Sequence, residues 1–160
     1  MKHGIRLFVG LAAAGIVATH AISQENTDKA IQAAVKARQS QMTLYAFNIG
    51  LLGSMAKGEV EYDAEAATAA ATNLASLSKL DQSRLWPQGS DAETLGSDMT
   101  EALPAIWEEG SDIGDKAMAL ISAADDMQAA AGDGLDALRG AIGPVGKSCG
   151  GCHEDFRLDD

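Results

Sequence analysis

Two cysteines and one histidine stand together near the carboxyl end of the chain, in the sequence Cys149-Gly150-Gly151-Cys152-His153. In a helix, a turn of about 100° per residue brings the two thiols and the imidazole into one sector of about 100°. A C-x-x-C-H sequence is typical of covalent haem attachment, in which two thiols add to the porphyrin vinyl groups and the imidazole becomes an axial ligand of iron. The intervening glycines leave the porphyrin edge unobstructed. The motif therefore predicts one haem c on Cys149 and Cys152, with His153 on the iron.

Two other interpretations of the cysteine pair stay open at the level of sequence. A structural disulfide is one, although so short a closed loop constrains little of the unfolded chain and stabilises little. A thioredoxin-like redox dithiol is the other, and it requires a βαβ context for which the sequence gives no sign.

Residues 1–23 have the features of a secretory signal peptide. A basic start precedes an apolar run over residues 7–18, which leads to small residues at a cleavage site after Ser23, with cleavage after Ala21 as a near alternative. An uncleaved membrane anchor is the competing interpretation, but the run is shorter than the ~20 residues that a bilayer core requires. We expect one mature domain, residues 24–160, in the periplasm, with no stable membrane insertion.

Composition excludes several classes of function. Loss of the leader leaves His153 as the only histidine, which rules out zinc sites with several imidazoles and any Ser-His-Asp triad that does not use it. The chain has 23 acidic and 12 basic residues, a net charge of −11. Such a surface repels phosphate backbones and anionic lipids, so nucleic-acid binding is not expected. A charged partner should present a basic docking face.

Apolar periodicity predicts four helices that must position the motif. Alanine is abundant and aromatic residues make up only 4% of the chain, a composition that favours helices over a sheet. The predicted helices cover residues 27–56, 63–80, 104–131 and 133 onward, with a long irregular loop over 81–104 and a break at Pro144. We therefore expect an all-α protein, an antiparallel four-helix bundle with one longer connection.

At this level of detail the chain resembles the class II c-type cytochromes, which include the cytochromes c′ and the low-spin cytochromes c-556 and c-554. The resemblance covers nearly the whole mature chain and implies a left-handed antiparallel four-helix bundle that holds covalently bound haem near one end. The residues that carry it are Arg38-Gln39 with Met42 and Asn48, Met55-Ala56-Lys57-Gly58-Glu59, Tyr62-Asp63-Ala64, Trp86-Pro87-Gln88-Gly89-Ser90-Asp91, Ile106-Trp107, and Val145-Gly146-Lys147-Ser148-Cys149 through Arg157.

The resemblance implies which residues of the first helix face the haem. Cytochromes c′ place a non-coordinating leucine, phenylalanine or tyrosine four positions after the arginine, whereas c-556-like members place a coordinating methionine there. Met42 therefore resembles a second axial ligand; the alternative is a core methionine packed over an open haem face. Arg38 and Gln39 match residues that bind the haem propionates, with a rim arginine paired to an acidic residue as the alternative for Arg38.

Three further residues are expected in the haem environment. Phe156 should pack against the ring edge. Trp86 either covers the haem from the loop or serves as a buried hydrophobic anchor. Arg157 falls on the helix face of the motif, where it would raise the haem potential or bond near His153, unless it is a solvated surface residue.

These residues predict a periplasmic electron carrier that cycles between Fe(III) and Fe(II) with His153 and Met42 as axial ligands. The alternative is a cytochrome c′-type protein that binds nitric oxide or carbon monoxide at a distal site that is open or is opened by release of Met42. Arg38, Met42, Tyr45 and Ile49 form a single narrow stripe on the first helix. An enzyme is not expected, because this distal stripe lacks a histidine or carboxylate to handle protons. The expected partners are periplasmic redox proteins, and the resemblance adds a homodimer formed through the first two helices.

Overall fold

The structure is a computed structural model that describes the backbone of residues 14–159 and the side chains from residue 25 onward. Of the predicted leader, residues 1–13 lie outside the described residues, and residues 14–23 are described by their backbone alone. Between residues 14 and 159 no helix combines the length and apolar character needed to cross a membrane.

Four long helices form an all-α bundle, as predicted. Each packs against its two neighbours in the ring α1, α2, α4, α5, so that the last helix closes back on the first. The helices of the described chain are α1 (Ala14–Lys57), α2 (Ala64–Ser78), a single turn α3 (Ala92–Leu95), a 3₁₀ turn (Pro104–Trp107), α4 (Ile113–Ala130) and α5 (Leu135–Phe156).

Small residues and a few large ones share the core between these helices. Alanines from α2 and α4, such as Ala71 and Ala124, are fully buried and let the helix backbones approach closely. Leucine and methionine side chains fill the remaining space, with Leu52, Leu74 and Met127 among the largest fully buried ones. The apolar stripes read from the sequence therefore do face a common interior.

Two predicted helix starts differ in outcome. The start of α2 is confirmed: Asp63 is its N-cap, and the carboxylate accepts a hydrogen bond of 2.8 Å from the Ala66 amide. The predicted start of α1 near Thr27 is wrong for the described chain, since the helix already runs from Ala14. Alanine and isoleucine before Thr27 favour helix, so no element of the sequence stops it there.

The predicted third helix, 104–131, is in fact two pieces. Pro104 does begin a helical turn, but the 3₁₀ turn ends at Trp107 and α4 starts only at Ile113. Gly110 between them has a φ of 85°, a conformation that a right-handed helix does not accept.

The break predicted at Pro144 does not occur. Helix α5 continues through this proline. A residue before proline normally avoids the helical region since its β-carbon and amide collide with the proline ring. Gly143 has no β-carbon, which removes part of that collision. Leu138 and Val145, both fully buried, hold the helix against the core on either side.

The long connection between α2 and α4 is anchored to the end of α5. It contains the α3 turn, which was not predicted, capped by the Asp91 carboxylate on the Thr94 amide at 2.8 Å. Further on, the Leu103 amide donates to the Phe156 carbonyl at 3.0 Å, and the Leu158 amide donates to the Glu101 carbonyl at 2.9 Å. These bonds bring the connection beside the last turns of α5, where the motif lies.

A tyrosine fastens the turn between α4 and α5, and its loss should cost stability. The Tyr62 hydroxyl donates to the Ala131 carbonyl at 2.9 Å and accepts from the Gly134 amide at 3.0 Å. We expect Tyr62→Phe to lower the free energy of unfolding by about 1–3 kcal/mol in denaturant titration. Ser76→Ala is the control, because that hydroxyl bonds only the Thr72 carbonyl of its own helix. Equal stability of the two variants would contradict this role of Tyr62.

Candidate functional site

The three motif side chains lie in the last two turns of α5. Cys149 and Cys152 are half-buried free thiols, so the disulfide alternative does not describe this structure. The dithiol alternative also fails, because residues 14–159 contain no β-strand, only an isolated bridge. Burial raises the pKa of both thiols. Partial desolvation, aided by the charge of Arg157, lowers the pKa of His153 and favours the neutral imidazole that metal ligation needs.

Cys149 faces α1. Tyr45 is buried there, and the pKa of its phenol is raised to about 12, first by burial and then by interaction with Cys149. The Tyr45 hydroxyl donates to the Leu77 carbonyl at 3.0 Å and accepts from Gln41 Nε2 at 3.1 Å. These bonds fix the tyrosine where α1, α2 and α5 meet.

Cys152 faces an aromatic wall. Phe156 and Ile106 are buried in a cluster against which Cys152, Trp86 and Trp107 pack. The two indole rings lie 6.3 Å apart between centroids at an angle of 53°, and Trp107 Nε1 donates to the Trp86 carbonyl at 3.0 Å. One thiol packed against an apolar aromatic cluster, with a second thiol three residues before it and an imidazole directly after it, fits the attachment of a porphyrin.

Arg38 is the most heavily bonded side chain of the site. It is only 3% exposed, which excludes the rim position considered as an alternative. Its guanidinium donates to the hydroxyls of Ser90 and Thr100, both at 2.6 Å, and to the Ser90 carbonyl, and it lies 4.8 Å from the centre of the Trp86 ring. Burial lowers the pKa of Arg38, and the charge of Asp91 opposes that effect. Arg38 therefore pins the long connection to α1; its contact with haem propionates stays a prediction.

The contacts made by α1 and α5 show that the two helices run antiparallel. Tyr45 of α1 is level with Cys149 of α5. Two turns earlier in α1, Arg38 stacks on Trp86, which packs against the cluster that contains Phe156, two turns after Cys149. These contacts bring α1, α5 and the aromatic cluster together at the end of the bundle that carries the motif.

Met42 stands between Arg38 and Tyr45 on the same face of α1. Because α1 and α5 run antiparallel, a residue three positions before Tyr45 corresponds to one three positions after Cys149, which is Cys152. The Met42 side chain is 37% exposed and belongs to neither hydrophobic cluster, whereas Arg38 and Tyr45 on either side of it along the stripe are both buried. Ligation of iron by Met42 is not tested by this arrangement and stays a prediction.

Gln39 and Arg157 are the remaining predicted residues of the haem environment. Gln39 is exposed, and its Nε2 donates to the Met99 carbonyl at 3.0 Å, so it helps Arg38 to hold the connection. Arg157 ends α5 beside His153, with its Nε 3.8 Å from a carboxylate oxygen of Glu101.

Sequence reasoning missed several residues that build this site. Trp107 and Ser90 were noticed only as part of a resemblance, and Thr100 was not singled out. Lys116, which contacts the motif from α4, was also missed. Ser90, Thr100 and Lys116 bond residues that are 52, 62 and 35 positions away in the chain, so sequence spacing could not reveal these contacts.

A helical bundle whose last helix carries a C-x-x-C-H motif beside an aromatic wall defines a c-type cytochrome. A family model described as Cytochrome C′ matches residues 33–157. The chain belongs to this family, the class II c-type cytochromes, and it is a haem protein with one covalently attached haem c.

Individual relatives agree with this assignment. The chain is 42% identical over 145 residues to cytochrome c-554 of Cereibacter sphaeroides, covering 91% of this chain and 92% of the relative. It resembles the structure of a cytochrome c′ from Rhodobacter spheriodes with a TM-score of 0.77 and 39% identity, covering 81% and 98%. It also resembles a nitric oxide complex of a variant cytochrome c prime from Alcaligenes xylosoxidans, with a TM-score of 0.69 and 34% identity over 81% and 97% of the two chains.

The anchoring role of Arg38 predicts a local effect of its replacement. Arg38→Lys keeps the charge but has one ammonium in place of the planar fork, so it cannot serve Ser90 and Thr100 together. We expect the backbone amides of residues 85–100 to exchange faster with solvent, because the free energy of local opening should fall by about 1–3 kcal/mol. Arg84→Lys, an exposed arginine of the same connection, is the control. Unchanged exchange in Arg38→Lys would show that the connection is held by other contacts.

Proposed function

We propose that this protein is a periplasmic one-electron carrier in which His153 and Met42 are the two axial ligands of haem iron. The proposal is supported by the sequence positions on two antiparallel helices: Met42 precedes Tyr45 by three residues in α1, and Cys152 follows Cys149, which interacts with Tyr45, by three residues in α5. No other residue type on the α1 stripe offers a soft ligand, since its neighbours there are Arg38 and Tyr45.

The chain's own residues would then favour fast transfer. Haem c supplies the Fe(III)/Fe(II) couple. His153 binds through a neutral imidazole, and Met42 binds through a thioether, which favours the ferrous state. Because α1 and α5 pack in one bundle, both ligands keep their places in either redox state, and little reorganisation accompanies each transfer. A carrier rather than an enzyme is supported by the α1 stripe, which presents no histidine or carboxylate to move protons.

A second candidate is a protein that binds nitric oxide or carbon monoxide. Its support is the partial exposure of Met42, since a thioether at the margin of the core needs only a small movement to leave. The likeness to a nitric oxide complex of a cytochrome c prime points in the same direction. In this case Met42 would gate the distal side rather than stay bound.

The redox partner should be a periplasmic protein with a basic docking face. The proposed mature chain, without Lys2 and Arg6, has 10 basic and 23 acidic residues and thus a net charge of −13. Exposed carboxylates surround the end of the bundle where the motif lies, including Glu101, Glu108 and Glu154. Opposite charge on a partner would steer it toward this end.

A homodimer through α1 and α2 is a further part of the proposal. The outer face of these helices has a groove of about 390 Å³, lined by Leu44, Phe47, Asn48, Asn73, Ser76, Leu77 and Leu80. Phe47 is 74% exposed, an unusual position for a phenylalanine unless a partner covers it.

Replacement of Met42 separates the two candidate functions. If the parent is a His/Met carrier, it is low-spin in both redox states and binds carbon monoxide slowly. Met42→Ala should then become high-spin and bind carbon monoxide at least tenfold faster, as absorption spectra and stopped flow would show. Met99→Ala, an exposed methionine of the connection, is the control. A high-spin parent that binds carbon monoxide as fast as Met42→Ala would favour the gas-binding candidate.

The dimer predicts a change of mass in solution. Phe47→Asp puts a charge into the apolar face, so sedimentation equilibrium should show a monomer at concentrations where the parent is a dimer. Met118→Asp, at a side chain on α4 that is 63% exposed, is the control and should remain dimeric. A parent that is itself a monomer, or a Phe47→Asp variant that still dimerises, would contradict an interface on α1 and α2.

A further inference from the structure

A lysine in the first turns of α4 contacts the haem-attachment motif from the side. Lys116 Nζ lies 3.0 Å from the carbonyl oxygen of Gly151 and 2.5 Å from a carboxylate oxygen of Asp155, with Asp112 further off at 3.9 Å. The Lys116 side chain is only 25% exposed, so these contacts are partly shielded from solvent. A shielded charge pair of this kind is less weakened by salt than one on an open surface.

The ammonium lies directly against α5 at Gly151. A β-carbon at position 151 would lie 3.9 Å from Lys116 Nζ, an ordinary van der Waals contact. The carbonyl that Lys116 binds belongs to the residue just before Cys152. The lysine therefore fixes the backbone from which the second thiol and the imidazole project.

The charge of Lys116 lies close to the attachment point of the second thioether. Its Nζ is 3.0 Å from the carbonyl oxygen of Gly151, the residue directly before Cys152. A hydrogen bond from Lys116 to Asp155 raises the pKa of the lysine, so the ammonium stays charged at neutral pH. A positive charge close to a thioether of the haem disfavours the ferric state, which carries one more positive charge than the ferrous state.

We propose that Lys116 is a positioning residue that holds the Gly151–His153 backbone and raises the reduction potential of the haem, with Asp155 moderating its charge. The inference rests on the proposed redox function of a haem bound at this motif. It does not depend on Met42 as a ligand.

Potentiometric titration of the holoprotein tests the proposal through the sign of two shifts. Lys116→Met removes the positive charge and leaves Asp155 unpaired, so the midpoint potential should fall. Asp155→Asn removes the closer carboxylate and leaves only Asp112, at 3.9 Å, to oppose the ammonium, so the potential should rise. Lys116→Arg should stay near the parent value. A role limited to packing α4 against α5 would instead move Lys116→Met and Asp155→Asn in the same direction.

Lys147→Met is the matched control, because Lys147 lines the same groove between α4 and α5 but is exposed. Its shift should be smaller than that of Lys116→Met and should fade as salt is added. Shifts of equal size for the two lysines, or of the same sign for Lys116→Met and Asp155→Asn, would overturn the proposal. If Lys116→Met does not fold, Asp155→Asn decides alone, since a fall or no change in potential contradicts the assigned sign.

The same samples report on the iron ligands separately. Absorption spectra of the parent show whether the haem is low-spin or high-spin, whatever the midpoint potentials are. A high-spin parent would refute Met42 ligation and leave the comparison of lysine variants intact, whereas potentials that do not respond to Lys116 would refute only the present inference.

Discussion

Both cysteines that attach the haem lie within about one turn of α5, so other elements must form the opposite wall of the haem site. The buried guanidinium of Arg38 is what assembles that wall, because it ties α1 to Ser90 and Thr100 of the connection and stacks on Trp86. A buried charge without such bonds would cost several kcal/mol. The connection and α1 are therefore held together as one unit facing α5.

Charge is distributed unevenly about that unit. The chain as a whole is strongly acidic, yet cations lie next to the motif: Lys116 against Gly151 and Arg157 beside His153. We propose that the acidic surface attracts a basic partner over some distance, whereas these two cations act on the haem at short range. Under this proposal, docking and reduction potential depend on different groups of charges.

Local chemistry was readable from the sequence, and long-range chemistry was not. The motif and the Asp63 cap depend on residues within a few positions of one another, so spacing alone identified them. The contact of Arg38 with haem propionates stays a prediction, but its bonds to neutral oxygens 52 and 62 residues away were not foreseen, because no periodicity reveals such partners. Two helix predictions failed where a single glycine determines the backbone conformation. Gly110 divides the predicted third helix, and Gly143 allows α5 to continue through Pro144.

The central claim is that the thioether of Met42 completes the coordination of iron opposite His153, and crystal structures of the ferric and ferrous holoprotein test it most directly. The account predicts the Met42 sulfur bonded to iron in both oxidation states, with α1 in the same place. A five-coordinate iron with the Met42 side chain turned away from it in either state would contradict the account.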